Sequence, residues 1–287
     1  MQNADAMQDK AGIIERILTY LYNTRGYDFR GGVPAMIERR IERRRIKSGQ
    51  PDLTTYAKFL EESKEETDLL IDGLTINVSR FFRDSFTFEY LDHQLLPGMI
   101  REKFSETSKE LRIWSAGCAG GEEPYSVAML IDQQLKRMNQ ELGISIYATD
   151  LNRRILEYAK SGIYPEEALV ETKMEYVQTY FNRLDTSYSI TPEVKGMVRF
   201  HYHDLLDSKS YVPRESIYGN FDMVLCRNVL IYFTFEYQKK IIERLYRSLK
   251  PGGLLVLGDA ESIMHSFEGN LDRETALGKI YRKEIIN

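Results

Sequence analysis

Cysteine is scarce in this 287-residue chain: only Cys118 and Cys226 are present, far apart. That count excludes a disulfide framework and a cysteine-rich zinc site. Histidine is scarce too. His93, His201, His203 and His265 show no helical metal-ligand spacing, and "HYHD" alternates as a strand would. The expectation is no metal. No apolar run reaches the ~18 residues of a membrane span. The opening "MQNADAMQDK" is polar, so no signal peptide is expected and the protein is read as cytoplasmic. Large excess charge is also missing. The net charge of −4 gives the whole chain no general attraction to nucleic acid. Neither internal repeats nor low-complexity segments occur.

What is there divides in two. Residues 11 to 88 carry helical patterns. "AGIIERILTYLYNTRG" puts Ile13, Ile17 and Leu21, with Ile14 and Leu18, on one face before a stop at Gly26. "VPAMIERRIERRRIKSGQ" is a second helix. "DLTTYAKFLEESKEE" is a third, with Asp52 as its N-cap, and "ETDLLIDGLT" continues the pattern. Residues 89–110 read as a linker helix region. From 111 to 287 strands alternate with helices: "LRIWSAG", "ISIYATD", "FDMVLCRN" and "GGLLVLG" are strands, and "EPYSVAMLIDQQLKRMNQEL" and "EYQKKIIERLYRSLK" are helices. This predicts an α/β domain with a mostly parallel sheet covered on both faces. The final alternating "ALGKIYRKEI" fits an antiparallel edge addition.

The most informative stretch is "IWSAGCAGGEEPYSVAML", residues 113–130. Glycines between a strand and a helix let backbone approach a ligand, and the helix start offers free N–H groups. A pyrophosphate site does not want carboxylates there, yet Glu122 and Glu123 follow the glycines. Carboxylates attract a cationic amine or sulfonium instead. S-adenosylmethionine combines adenosine, a sulfonium and an amino group, without phosphate. Asp150, at the end of the second strand, can accept from both ribose hydroxyls, and it can equally cap the next helix. From Gly117 to Asp150 is 33 residues, longer than the ~20 of the dinucleotide fingerprint, so spacing alone does not define the fold. Arg227 and Asn228 stand at the carboxyl end of "FDMVLC", where open α/β sheets bind ligands, and Tyr232 follows near the same rim. Cys226 reads as a buried small hydrophobe.

"TINVSRFFRD", "WSAGCAGGEEPYSVAM", "ATDLNRRILEYAKSGIY", "FDMVLCRNVLIYF" and "LKPGGLLVLG" occur in one order. Together they resemble the CheR-type chemotaxis receptor methyltransferases, which are S-adenosylmethionine-dependent protein-glutamate O-methyltransferases. The resemblance covers residues 15 to 285. It implies an all-α N-terminal domain and a class I, Rossmann-like methyltransferase sheet with a small antiparallel β-subdomain inserted at about 180–203. It implies cofactor contacts from Asn77, Ser79 and Arg83, with serine in place of the family's threonine at 79. Gly117, one or both of Glu122 and Glu123, and Asp150 follow. Asp204 and Leu205 stand where the family's Asn-Leu pair reads adenine; Asp204 can still accept from the adenine amino group. Arg227 and Asn228 complete the set. Arg83 and Tyr232 are the catalytic candidates. Arg83 is either a clamp on the attacking carboxylate or a partner for the cofactor's own carboxylate.

The implied reaction moves a methyl group to receptor glutamates, giving methyl esters and S-adenosylhomocysteine, in sensory adaptation. A glutamate with pKa near 4.3 is already an anion at neutral pH and needs no general base. Catalysis then rests on positioning, which suits a chain without a triad. "ERRIERRRIK", residues 38–47, carries six basic and two acidic residues. It is either a solvated face or a docking surface, through Arg39, Arg40, Arg43 and Arg44, for the acidic helical domain of a receptor. That docking would recruit the protein to membrane receptor arrays. Two rival readings remain at this level: a methyltransferase for nucleic acid or small molecules, and a cofactor-sensing module. Base N-methylases usually carry D/N-P-P-Y/F after the central strand, where this chain has "RNVLIY".

Overall fold

The computed structural model describes residues 2–75, 78–207, 209–263, 267 and 269–285. Asn77 and His265 lie outside the described residues. Two compact units form, one from residues 1–77 with 232–238, the other from 78–231 with 239–287.

The first unit is helical: α1 (Gln2–Arg25), α2 (Pro34–Lys47), α3 (Leu53–Glu62) and α4 (Lys64–Leu74). Ile17, Leu18 and Leu21 of α1 are buried, and Gly26 ends the helix at φ 77°. Pro34 starts α2, whose Ile37 and Ile41 face inward. Asp52 caps α3 by accepting from the Thr55 N–H at 2.7 Å. The single helix expected over "DLTTYAKFLEESKEE" is broken at Ser63, which leaves helical geometry at φ −113° and ψ 104° and caps α4 through Glu66 N. Residues 31–34 pair with 232–234: Val33 N donates to the Tyr232 carbonyl and Thr234 N to the Gly31 carbonyl, each at 3.0 Å.

The α2 arginines correct the expected docking face. Arg44 turns inward and grips Glu66 through two 2.7 Å bonds, with the Tyr56 hydroxyl donating to the same carboxylate. Arg40 donates to the Leu74 carbonyl at 2.6 Å and lies over the Tyr232 ring. Both tie the helical unit together, while Arg39, Arg43 and Lys47 are exposed. Residue order shows how many cations a helix carries; only the neighbours decide which face each one takes.

The second unit opens with α5 (Ser85–Tyr90), a π-helical turn (Leu91–Leu95) and α6 (Leu96–Ser105). Residues 89–110, expected as a linker helix region, are helical as far as Ser105, and their Leu91, Leu95, Leu96, Met99 and Ile100 join the main core. Then come β1 (Glu110–Ala116), α7 (Glu122–Met138), β2 (Gly143–Asp150) and α8 (Arg153–Ser161). β3 (Ile163–Pro165), α9 (Met174–Tyr180), β4 (Phe181–Arg183), β5 (Ser187–Ile190) and α10 (Pro192–Met197) follow. The chain finishes with β6 (Val198–Tyr202), β7 (Phe221–Cys226), α11 (Phe235–Ser248), β8 (Leu249–Leu257), β9 (Leu271–Arg273) and β10 (Ile280–Lys283). The seven-stranded sheet has the order β6-β2-β1-β7-β8-β10-β9. Its first five strands are mutually parallel; β10 runs antiparallel to both β8 and β9. β1 and β7 are buried almost throughout, as a strand covered on both faces must be.

A small antiparallel sheet, β3-β5-β4, stands apart from the large one. Its boundaries differ from the expected 180–203. The small sheet begins at Ile163 and ends at Ile190, whereas β6 belongs to the main sheet, with Val198 opposite Ile146 and Tyr202 opposite Asp150. Alternation in "VRFHY" marks a strand without saying which sheet will pair with it.

Candidate active site

The carboxyl ends of β1, β2, β6 and β7 converge on the glycine turn. Gly117 N and Cys118 N both donate to the Thr149 carbonyl, at 2.8 and 2.9 Å, so the turn is pinned to β2. Gly117 has φ 80°, and a Cβ there would stand 2.5 Å from Val229 Cγ2. Gly121 has φ 89°, and a Cβ would meet Phe200, Ala159 and the Tyr164 hydroxyl within 3.0 Å. Both positions need glycine for conformation and for space. The Tyr164 hydroxyl, from the small sheet, donates to the Gly120 carbonyl at 2.6 Å. Asp150 accepts from Ala119 N (3.0 Å) through one oxygen and from Asn152 N (2.8 Å) through the other. The capping of α8 falls instead to Asn152, which accepts from Arg154 N and Ile155 N. Burial raises the Asp150 carboxyl above its usual range, against the pull of those N–H donors.

The two glutamates at the start of α7 differ sharply in surroundings. Glu123 accepts from the Ser115 hydroxyl at 2.8 Å and faces Arg227 at 3.4 Å. Burial raises its carboxyl, and Arg227 opposes the rise. Among the described residues Glu122 has no cation beside it; it is 5% exposed, accepts from the Ser79 hydroxyl, and its Oε2 has no hydrogen-bond partner among them. Desolvation pushes its carboxyl up to about 7. A buried carboxylate oxygen without a partner is costly unless a donor reaches it. A cationic group at this turn would supply such a donor.

Arg227 is buried and donates through both terminal nitrogens, while its Nε has no partner among the described residues. It donates to Asp84 Oδ2 (2.8 Å), to the Arg83 carbonyl (2.9 Å) and to Glu123, over the Phe88 ring. It therefore holds the 81–84 segment against the sheet. That segment is also pinned by Phe82 N donating to the Ser126 hydroxyl, which in turn donates to the Glu122 carbonyl. Phe82 and Asp84 sit at positive φ, 55° and 60°, inside this lock. Among the described residues the Arg83 guanidinium makes one long bond, 3.5 Å to the Val78 carbonyl, and is half-exposed. Asn228 has φ 58°. Asp204 follows β6 and accepts from Leu206 N at 2.8 Å, while Arg244 donates to the Leu205 and Asp207 carbonyls. Leu205 is buried. Tyr232 falls in the helical unit, its ring near Arg40. Asn77 lies outside the described residues.

Reading the sequence missed Asp84 and Ser126, whose partners lie 143 and 44 positions away, Arg227 and Phe82 respectively. It gave no role to Glu261, the acid of the Gly258-Asp259-Ala260-Glu261 stretch that stands where the resembled family has G-H-S-E. That carboxylate is 4% exposed and gathers backbone N–H groups from residues 228–231 and from Gly258. The available signal was that motif position, an acid at the end of "GDAE" just after β8. His203 is a core residue, edge-on to Trp114, and burial lowers its imidazole to about 4. Among the described residues no cluster of three His, Cys, Asp or Glu could hold a metal.

A parallel sheet with a pinned glycine turn, two acids at the helix start and an acid after β2 defines a class I S-adenosylmethionine-dependent methyltransferase. Residues 77–275 match the family model "CheR methyltransferase, SAM binding domain". Residues 13–75 match "CheR methyltransferase, all-alpha domain". The chain belongs to the CheR methyltransferase family. The chemotaxis protein methyltransferase of Borreliella burgdorferi is 31% identical over 94% of this chain and 93% of that protein. Chemotaxis protein methyltransferase 1 of Pseudomonas aeruginosa is 37% identical over 75% and 77%. Among solved structures, PKMT2 from Rickettsia typhi in complex with AdoHcy is 18% identical, with a TM-score of 0.31, over 51% of this chain and 20% of that one.

Proposed function

We propose that the protein transfers methyl groups from S-adenosylmethionine to glutamate side chains of chemotaxis receptors, forming methyl esters. The observation that carries the cofactor half is Glu122, with its buried, unpartnered Oε2 beside a glycine turn. Glu122, rather than the Arg227-paired Glu123, is the acid that meets the cofactor's cationic end. Asp150 takes the ribose hydroxyls and the Asp204-Leu205 pair the adenine. Arg227 serves this site indirectly, as the strut that sets Arg83.

S-adenosylmethionine supplies a methyl group activated on a sulfonium. A receptor carboxylate oxygen forms the new C–O bond as the C–S bond breaks, leaving a neutral ester and a thioether. The chain has no proton to move in this step, because the nucleophile is already ionised. Its work is to orient the acceptor and exclude water. Arg83, held through its own carbonyl, presents a planar fork suited to a carboxylate. The relatives are named chemotaxis protein methyltransferases, which supports a protein substrate in chemotaxis. No helix is long and apolar enough to cross a membrane among the described residues, so contact with receptor arrays would come by docking. Arg39, Arg43 and Lys47 on the open face of α2 suit an acidic receptor helix. Incubation with methyl-labelled cofactor and receptor membranes tests this. Label released as methanol by base supports it; base-stable label, or none, refutes it.

A further inference from the structure

The loop after β7 has an anchor with no role in the reading so far. Glu261 Oε2 accepts from Gly258 N at 2.7 Å and Asn228 N at 2.9 Å. Its Oε1 accepts from Val229 N at 2.8 Å, Leu230 N at 2.7 Å and Ile231 N at 3.4 Å. Five N–H groups converge on one buried carboxylate. Without it the buried N–H groups of Leu230 and Gly258 and the half-buried ones of Asn228, Val229 and Ile231 would all lose this acceptor, and residues 228–231 would have to rearrange. Asn228 sits at φ 58°, a left-handed conformation that asparagine tolerates, and its N–H is among the five that Glu261 holds.

The consequence reaches the cofactor turn. Val229, hung from Glu261 by its N–H, packs its Cγ2 where a Cβ on residue 117 would be. The same loop follows directly on Arg227, which fixes the Arg83 carbonyl. Glu261 thus connects the Gly117 turn and the Arg83 segment to one point.

We propose that Glu261 is a positioning residue for methyl transfer: by collecting the N–H groups of residues 228–231 and 258 it sets the loop that supports the cofactor turn. The proposal rests on the reading of that rim as the cofactor site.

Glu261→Gln is the discriminating variant. Whichever way the amide turns, its NH2 faces at least two backbone donors. S-adenosylhomocysteine affinity is measured by calorimetry at a temperature where near-UV circular dichroism shows the variant fully folded. Turnover is followed on receptor membranes. The expected result is at least tenfold weaker cofactor binding and a lower kcat, with receptor KM unchanged. A purely structural role would lower the melting temperature and leave the affinity of the folded protein alone. Wild-type affinity in the folded variant therefore overturns the proposal, as does a loss confined to receptor KM. Failure of the wild-type protein to bind S-adenosylhomocysteine would instead remove the site itself.

Discussion

Glu122→Gln separates the cost of an unpaired buried acid from its use. In the free protein desolvation raises the Glu122 carboxyl from 4.5 to about 7. Between those values the folded state holds a proton that the unfolded state has lost. Stability therefore falls as pH rises through that window and is lowest above pH 7. The full shift corresponds to about 3 kcal/mol. Glutamine removes the ionisation but leaves an unpaired amide group, a cost of about 1–2 kcal/mol. The variant should thus be more stable than the parent at pH 8, by about 1–2 kcal/mol, and the gain should vanish near pH 5. Cofactor binding should move the other way. Losing a charge-assisted hydrogen bond costs about 1.5–3 kcal/mol, roughly 10- to 100-fold in affinity. Because only the anion attracts the cation, wild-type affinity should be about tenfold weaker at pH 6 than at pH 8. The variant should show no such slope. Denaturant melts and calorimetry across pH 5–8 measure both effects. Wild-type affinity in the variant, or a pH-independent wild type, would refute the assignment of Glu122 and return attention to Glu123.

Three further outcomes follow from the geometry. Arg83→Lys should fail nearly as badly as Arg83→Ala, with a loss of about 10²-fold in turnover, since lysine lacks the planar fork. Surviving cofactor affinity would assign the guanidinium to the substrate, a parallel drop in affinity to the cofactor's carboxylate, and full activity in Arg83→Ala to neither. On α2, reversing Arg39 and Arg43 to Glu should slow receptor methylation at low salt without changing melting or cofactor affinity. Arg44→Glu should destabilise the helical unit by about 3–5 kcal/mol, because it sets a second acid against buried Glu66; thermal melts distinguish the two classes of change.

The strand–helix alternation, the glycine turn and the acids around it were legible in the residues themselves. Each is local: a glycine stretch, an acid at a strand end and an apolar run carry their meaning within a few positions. The cap of α3 by Asp52 was legible for the same reason. Tertiary structure decided what neighbours determine. Glu122 and Glu123 are adjacent and chemically alike, and only the fold brings Arg227 beside Glu123 while leaving Glu122 Oε2 without a partner among the described residues. Arg40 and Arg44 could not be told from Arg39 and Arg43 until Leu74 and Glu66 came beside them. "VRFHY" was a strand by pattern, but the main sheet claimed it through β2. Glu261 stood at a recognisable motif position but its role was not legible, since four of its five partners are backbone N–H groups about thirty positions upstream, brought to it only by the fold.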